Sequence, residues 1–310
     1  MRFAFFGSDV FALPTLVALA SAGHEPVLVL TNPDRRRGRS KTLLATPIKE
    51  EAIRREVPVL QPAGRPGREE AAAIADSGAE LGVVVAYGQF LTKRVRQAPS
   101  LGYSINLHGS LLPRWRGAAP VAYAIRAGDE ATGVSVQKVE KAMDAGDVFA
   151  AREEPIGPSD TRGELRDRLS ALGASLIVDV VNEIANGAAQ AAPQDTSQIT
   201  LATKLSKEDS LLSLEASAIE LDRTIRAFTP WPGGRLELES GPLGLLRVRP
   251  LDVPETDAAP GTLLDLSAEG IVIATGSGAL ELLEVKPAGK RGMSGRAYAN
   301  GRRLARGDTL

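Results

Sequence analysis

LGVVVAY, residues 81–87, is the most strand-like run in the chain. Its successive positions are apolar, with β-branched Val83, Val84 and Val85 at the centre, so neither face of the strand can profitably meet water. Such a strand belongs at the centre of a sheet covered on both sides. Upstream, residues 2–6 are a short apolar run closed by Gly7. Residues 9–22 then carry Val10, Leu13, Leu16, Val17 and Ala20 at helical spacing, and residues 26–30 form the next buried-type strand. A β-α-β opening followed by a central strand predicts a doubly wound, Rossmann-like α/β domain. The first turn reads FGSDVF, with a single glycine. A dinucleotide-dependent oxidoreductase would need a glycine fingerprint there, and it is missing.

Outward in the other direction lies SINLHGSLLPRWRGAAP, residues 104–120. Tyr103, Ile105 and Leu107 alternate with Ser104 and Asn106, which predicts a strand over 103–107. Polar chemistry is concentrated just after it, where open α/β sheets place their ligands. Asn106 and His108 are two residues apart, so their side chains share a face. An amide donor beside an imidazole suits carbonyl transfer, since one group can stabilise oxygen charge while the other handles a proton. The imidazole needs an acid to orient it. Asp144 in the turn MDAGD, residues 143–147, is the leading candidate, with Asp147 as the lesser alternative. The only other histidine, His24 in SAGHEP, reads as a capping or surface residue.

Residues 31–44, TNPDRRRGRSKTLL, set Arg35, Arg36, Arg37, Arg39 and Lys41 against the single acid Asp34. This is either a solvated charge run or a phosphate-contacting arm. Thr46-Pro47 reads as N-cap and first position of a helix reaching about residue 55. A short strand follows at 57–61 and a helix at 68–77. Beyond the site stretch come a helix at 119–127, strands at 133–139 and 148–155, and a long amphipathic helix at 161–186. The pattern then dissolves, which divides the chain into a domain over 1–187, a linker over 188–206 and a second domain over 207–310. After a helix at about 216–228, five short strands (235–239, 245–253, 262–266, 271–274 and 280–285) suggest a small β-barrel of the oligonucleotide-binding (OB-like) type. Its tail carries Lys286, Lys290, Arg291, Arg296, Arg302, Arg303 and Arg306 against Asp308, a second local basic patch.

Composition narrows the classes. The 310 residues carry 37 Lys and Arg against 38 Asp and Glu, so any polyanion must be met by local rather than global charge. There is no cysteine, which excludes disulfides, thiolate nucleophiles and cysteine metal sites and suits a reducing cytoplasm. No metal site is expected. No run is long and apolar enough to span a membrane, and no targeting segment opens the chain, so a cytoplasmic monomer is expected.

The order N-x-H-x-SLLP-x-x-x-G, here Asn106, His108, Ser110, Leu111, Leu112, Pro113 and Gly117, followed by MDAGD with Asp144, resembles the formyltransferases that use 10-formyltetrahydrofolate. Within them the chain is similar to those acting on methionyl-tRNA. FFGSDVFA, TNPDRRRGRSKTL, VVVAYGQFL and HGSLLPRWRGAAP carry that likeness in the first domain; KLSKED, IRAFTPWPGG and KPAGKRGMS carry it in the second. The resemblance implies Asn106, His108 and Asp144 as the catalytic trio and Ser110, Leu111, Leu112 and Pro113 as the folate-binding segment. It further implies Arg39, with Arg36, Arg37 and Lys41, as contacts to initiator methionyl-tRNA, and the C-terminal barrel as a tRNA platform. The loop departs from the family in carrying more arginine before Gly38. A formyltransferase acting on a small amine, glycinamide ribonucleotide or an amino sugar, is the same-class alternative; it has no reason to carry the basic loop and second barrel. An RNA-binding module on an inert α/β domain leaves Asn106, His108 and Asp144 jointly unexplained.

Overall fold

The computed structural model describes residues 1–37, 42–251, 253 and 257–310. The chain divides into two compact units. The first comprises Met1–Pro120, Ala131–Pro155 and Arg166–Thr203; the second comprises Val121–Glu130, Ile156–Leu165 and Lys204–Leu310.

In chain order the first part runs β1 (Arg2–Gly7), α1 (Leu13–Ser21), β2 (Glu25–Leu30), β3 (Arg35–Arg37), β4 (Thr42–Leu44), α2 (Pro47–Arg54), β5 (Val59–Leu60), α3 (Arg68–Asp76), β6 (Leu81–Val85), α4 (Lys93–Arg96), β7 (Ser104–His108), β8 (Arg116–Gly117), α5 (Pro120–Ala127), β9 (Ala131–Lys138), β10 (Val148–Pro155), α6 (Arg162–Ala185) and β11 (Leu201–Ala202). Seven of these strands form one sheet in the order β10-β9-β7-β6-β1-β2-β5. The five from β7 to β5 are parallel, and β9 and β10 extend the edge antiparallel. The order reverses at β1, which pairs with both β2 and β6 and makes the doubly wound switch point.

Every residue of β6 is buried, as its two-sided apolar pattern requires. On one face Phe6, Leu30, Val84 and Tyr87 pack with Ile74 of α3 and Val95 of α4, and the Phe6 and Tyr87 rings meet edge to face at 5.7 Å. The strand stops at Val85 rather than Tyr87 because Ala86 turns the chain at φ 45. Strand β5 is likewise shorter than its sequence pattern. Thr46 caps α2, its hydroxyl accepting from Lys49 N at 3.1 Å with Pro47 at the first position. The basic connection contains a short hairpin, β3 with β4. At its base Asp34 accepts from Lys49 Nζ and Gln61 Nε2, both at 2.7 Å, and the Lys49 ammonium holds its carboxyl below the usual carboxylate range.

The segment with no periodicity after α6 belongs to the first unit as far as Thr203. Ala192 and Val148 exchange main-chain hydrogen bonds of 2.8 and 2.9 Å, and β11 pairs with β8. Backbone pairing of this kind leaves no side-chain pattern to read, which is why composition alone suggests a tether.

The second unit is a β12 (Gly234–Leu238), β13 (Gly241–Leu251), β14 (Leu263–Leu266), β15 (Ile271–Ala274), β16 (Ala279–Pro287) and β17 (Met293–Ser294) sheet with helices α7 (Ala218–Phe228) and α8 (Gly295–Arg302). Its antiparallel path is β12-β13-β16-β15-β14, with β17 on β16. Alternating residues such as Leu243, Leu245, Ile271, Ile273, Leu280 and Leu282 turn inward onto Leu221 and Ile225 of α7. A capping box starts α7: Ser217 Oγ accepts from Glu220 N at 3.2 Å, and Glu220 Oε2 accepts from Ser217 N at 3.0 Å. No described helix is long and apolar enough to cross a membrane.

His24 is not at the surface; it is 6% exposed. Burial, then the nearby N-terminal ammonium, lowers its pKa below the usual 6.5, with the Asn182 amide opposing. Below about pH 6.5 the unfolded chain therefore takes up a proton that the folded chain resists, and stability falls as pH drops; above it the penalty vanishes. Urea unfolding of wild type and His24→Leu across mildly acidic pH should show the wild type losing stability more steeply, by up to about one proton per molecule. Identical slopes would refute this.

Candidate active site

Strands β7 and β9 alternate polar and apolar residues, and their register aligns the two patterns. Asn106 lies opposite Gln137 and His108 opposite Ser135. Asn106, His108, Ser135 and Gln137 therefore share one face. Ile105, Leu107, Val134 and Val136 take the other and are buried. That apolar face is backed by α6, where Gly173 leaves room for Leu107. The polar face is thus supported from behind by core.

His108 is 6% exposed. Its Nε2 lies 2.9 Å from the carbonyl oxygen of Trp115. A carbonyl can only accept, so Nε2 carries the proton and donates it to that bond. Nδ1 faces Asp144 Oδ2 at 3.7 Å, an electrostatic contact longer than a hydrogen bond. Asp144 is fixed by other groups: Oδ2 accepts from Gly117 N at 2.8 Å and Oδ1 from Gln137 Nε2 at 2.9 Å. Of the two acids of MDAGD it is Asp144 that lies beside His108, whereas Asp147 is exposed and contributes its carbonyl to Lys138 N. Asn106 is half-buried, and its amide has no hydrogen bond to a described residue.

The SLLP segment is a rigid turn. Ser110 is fully buried, its hydroxyl donating to Arg114 O at 2.6 Å while its carbonyl accepts from Ser135 Oγ at 2.7 Å. Ser135 Oγ also accepts from Leu112 N at 3.1 Å, and the Leu112-Pro113 peptide is cis. Ser110 therefore spends its hydroxyl on the turn. Leu111, Leu112 and Pro113 are half-buried and supply the apolar surface, with Leu111 lying over the bare Cα of Gly133. Two non-glycine residues around His108 adopt positive φ, Trp115 at 58 and Asp144 at 50. Strained backbone of this kind persists where surrounding contacts over-determine it.

Four contributors were not picked out from sequence. Gln137 and Ser135 lie in a strand whose alternation was legible, and their polarity on the face opposed to Asn106 and His108 was the available signal. Gln194 and Thr200 carried none. Thr200 accepts from Trp115 N through Oγ1 at 2.8 Å and from Arg116 N through its carbonyl at 2.9 Å. Of the four expected tRNA contacts, Arg39 and Lys41 lie outside the described residues; Arg36 and Arg37 lie in β3 of the hairpin. Among the described residues no group of three or more His, Asp or Glu could hold a metal ion.

Residues 1–181 match the formyl transferase family and residues 204–303 match its C-terminal domain. The chain belongs to the formyl transferase family. Among solved structures, a HypX variant from Aquifex aeolicus matches at TM-score 0.64 and 17% identity, covering 100% of this chain and 49% of HypX. The chain thus spans about half the length of the HypX proteins it matches. An N-formyltransferase from Helicobacter canadensis, solved with folinic acid and dTDP-3-aminofucose, matches at TM-score 0.68 and 14% identity over 91% of this chain and 99% of that one. The sugar 3N-formyl transferase WlaRD matches at 0.66 and 13% identity, over 94% and 99%. At these identities the likeness speaks to the fold.

Proposed function

We propose that this chain transfers the formyl group of 10-formyltetrahydrofolate to the α-amine of methionine on initiator methionyl-tRNA. The observation that carries the chemistry is the Asn106 amide, which has no hydrogen bond to a described residue, on one strand face with a His108 whose Nε2 proton is committed to Trp115 and whose Nδ1 faces Asp144. The folate donor is supported by the half-buried apolar turn at 111–113 and by two matched proteins: HypX was solved with tetrahydrofolic acid and WlaRD with 5-N-formyl-THF.

The neutral amine attacks the formyl carbon, so a new C–N bond forms as the carbonyl becomes tetrahedral. Asn106 donates to the developing oxyanion. The amine's proton passes to His108 Nδ1, and the Asp144 carboxylate stabilises the imidazolium that results. Collapse of the tetrahedral centre breaks the bond to N10, which takes up the proton from His108. No enzyme nucleophile is required, and holding amine and formyl carbon together supplies much of the rate.

Choice of a tRNA acceptor is supported by the sequence likeness across both units and by the cations at 35–41. A sugar nucleotide amine is the competing acceptor, since matched proteins of similar length are named as sugar N-formyltransferases. The test offers 10-formyltetrahydrofolate with methionyl initiator tRNA, methionyl elongator tRNA, glycinamide ribonucleotide and a dTDP-amino sugar. Initiator tRNA should be formylated fastest. Its use should also fall steeply with salt, because even two phosphate contacts cost about tenfold in affinity between about 50 and 200 mM. Arg39→Ala should weaken tRNA use and spare folate binding. Formylation of the sugar but not the tRNA would overturn the acceptor assignment while leaving the formyl chemistry standing.

A further inference from the structure

The segment from Ala192 to Ala202 lies beside the site, bonded to residues 115–118, and one of its side chains reaches the turn that bears Asp144. Alone among residues 191–198, Gln194 is not exposed. Its Nε2 lies 2.9 Å from Asp144 O, 2.7 Å from Gly146 O and 3.3 Å from Gln137 Oε1. Its Oε1 accepts from Arg116 Nε at 3.1 Å and Nη2 at 2.7 Å. We infer that Gln194 is a positioning residue for formyl transfer: it locks the loop bearing Asp144 to the loop that follows His108, and so sets the Asp144 to His108 geometry. The inference rests on the proposed function for its kinetic readout.

The chemistry of the grip is specific. Two carbonyls on one side need N–H donors, and a guanidinium on the other needs an acceptor; a primary amide supplies both within one rigid plane. Asp144 needs outside support, because its φ of 50 is unfavourable for a side-chain-bearing residue. Gln137 and Gly117 hold its carboxylate, but among the described contacts it is Gln194 that holds its main-chain carbonyl. Gln194 is itself anchored on both sides. The Ala192–Val148 exchange fixes the chain before it, and the Thr200 and β11 contacts to residues 115–118 fix the chain after it.

The test compares Gln194→Ala and Gln194→Glu in the wild-type and Asp144→Asn backgrounds. Gln194→Ala should lower kcat about 10- to 100-fold, the cost of misplacing a reacting group by about 1 Å. Gln194→Glu should be as poor, because a carboxylate still accepts from Arg116 but has no N–H for the Asp144 and Gly146 carbonyls. In the Asp144→Asn background the same changes should add almost nothing, since residues acting through one group are not additive. Independently of turnover, hydrogen exchange at the Gly117 amide should speed up in Gln194→Ala by more than the fall in global stability, read from the unfolding midpoint, accounts for. Wild-type kcat in either variant, an equal loss in both backgrounds, or unchanged Gly117 exchange would overturn the inference. Should the wild-type protein formylate no amine at all, that result would strike the proposed function alone, and Gly117 exchange would still decide the role of Gln194.

Discussion

Replacing Asn106 with alanine should lower turnover by at least about 10²–10³ while leaving the fold in place, the usual cost of removing one preorganised oxyanion donor. The fold should survive because Asn106 is half-buried and makes no hydrogen bond to a described residue, while Ile105 and Leu107 on the opposite face carry the packing. His108→Ala should cost at least as much turnover but should also be felt in stability. It removes the Nε2–H that the Trp115 carbonyl accepts from at 2.9 Å, and a lost intramolecular hydrogen bond costs about 0.5–1.5 kcal/mol. Turnover with the formyl donor and urea unfolding of both variants separate the two effects. Near-normal turnover in either would sink the assignment of this strand face as the catalytic one.

Gly117→Ala is expected to damage both stability and activity, for two reasons that a control can divide. Gly117 has φ 125, which side-chain-bearing residues rarely adopt, and a Cβ there would overlap the carbonyl of Ala202. That carbonyl cannot withdraw cheaply, since it accepts from Ala118 N at 2.8 Å in the β8 and β11 pairing. Strain and overlap together should cost about 3 kcal/mol and pull the Gly117 N–H away from Asp144 Oδ2. Gly23 also has positive φ, 85, but has open space around the position of a Cβ. Gly23→Ala should therefore cost only the strain, about 1 kcal/mol, with turnover unchanged. Thermal unfolding and turnover of both variants test the pair, and equal costs would show that the approach of Ala202 does not matter.

Sequence by itself determined the parts that depend on short-range periodicity. The two-sided apolar run at 81–87 required a central strand. The alternation of Ser104, Asn106 and His108 with Ile105 and Leu107 required one polar and one apolar face, because side chains on a strand point alternately to its two sides. The motif order around Asn106 and His108 also pointed to the formyl transferase family, which the whole-chain matches bear out. The tertiary structure decided what depends on segments remote along the chain. It set Asp144 rather than Asp147 beside His108, turned Ser110 inward, and brought Gln137 opposite Asn106. It also carried Gln194 and Thr200 to partners 78 and 85 residues away. The reason is physical: strand and helix periodicity is set between near neighbours in sequence, whereas the Gln194 amide and the Thr200 hydroxyl are single side chains whose partners lie far along the chain, so no local pattern at 188–203 marks them.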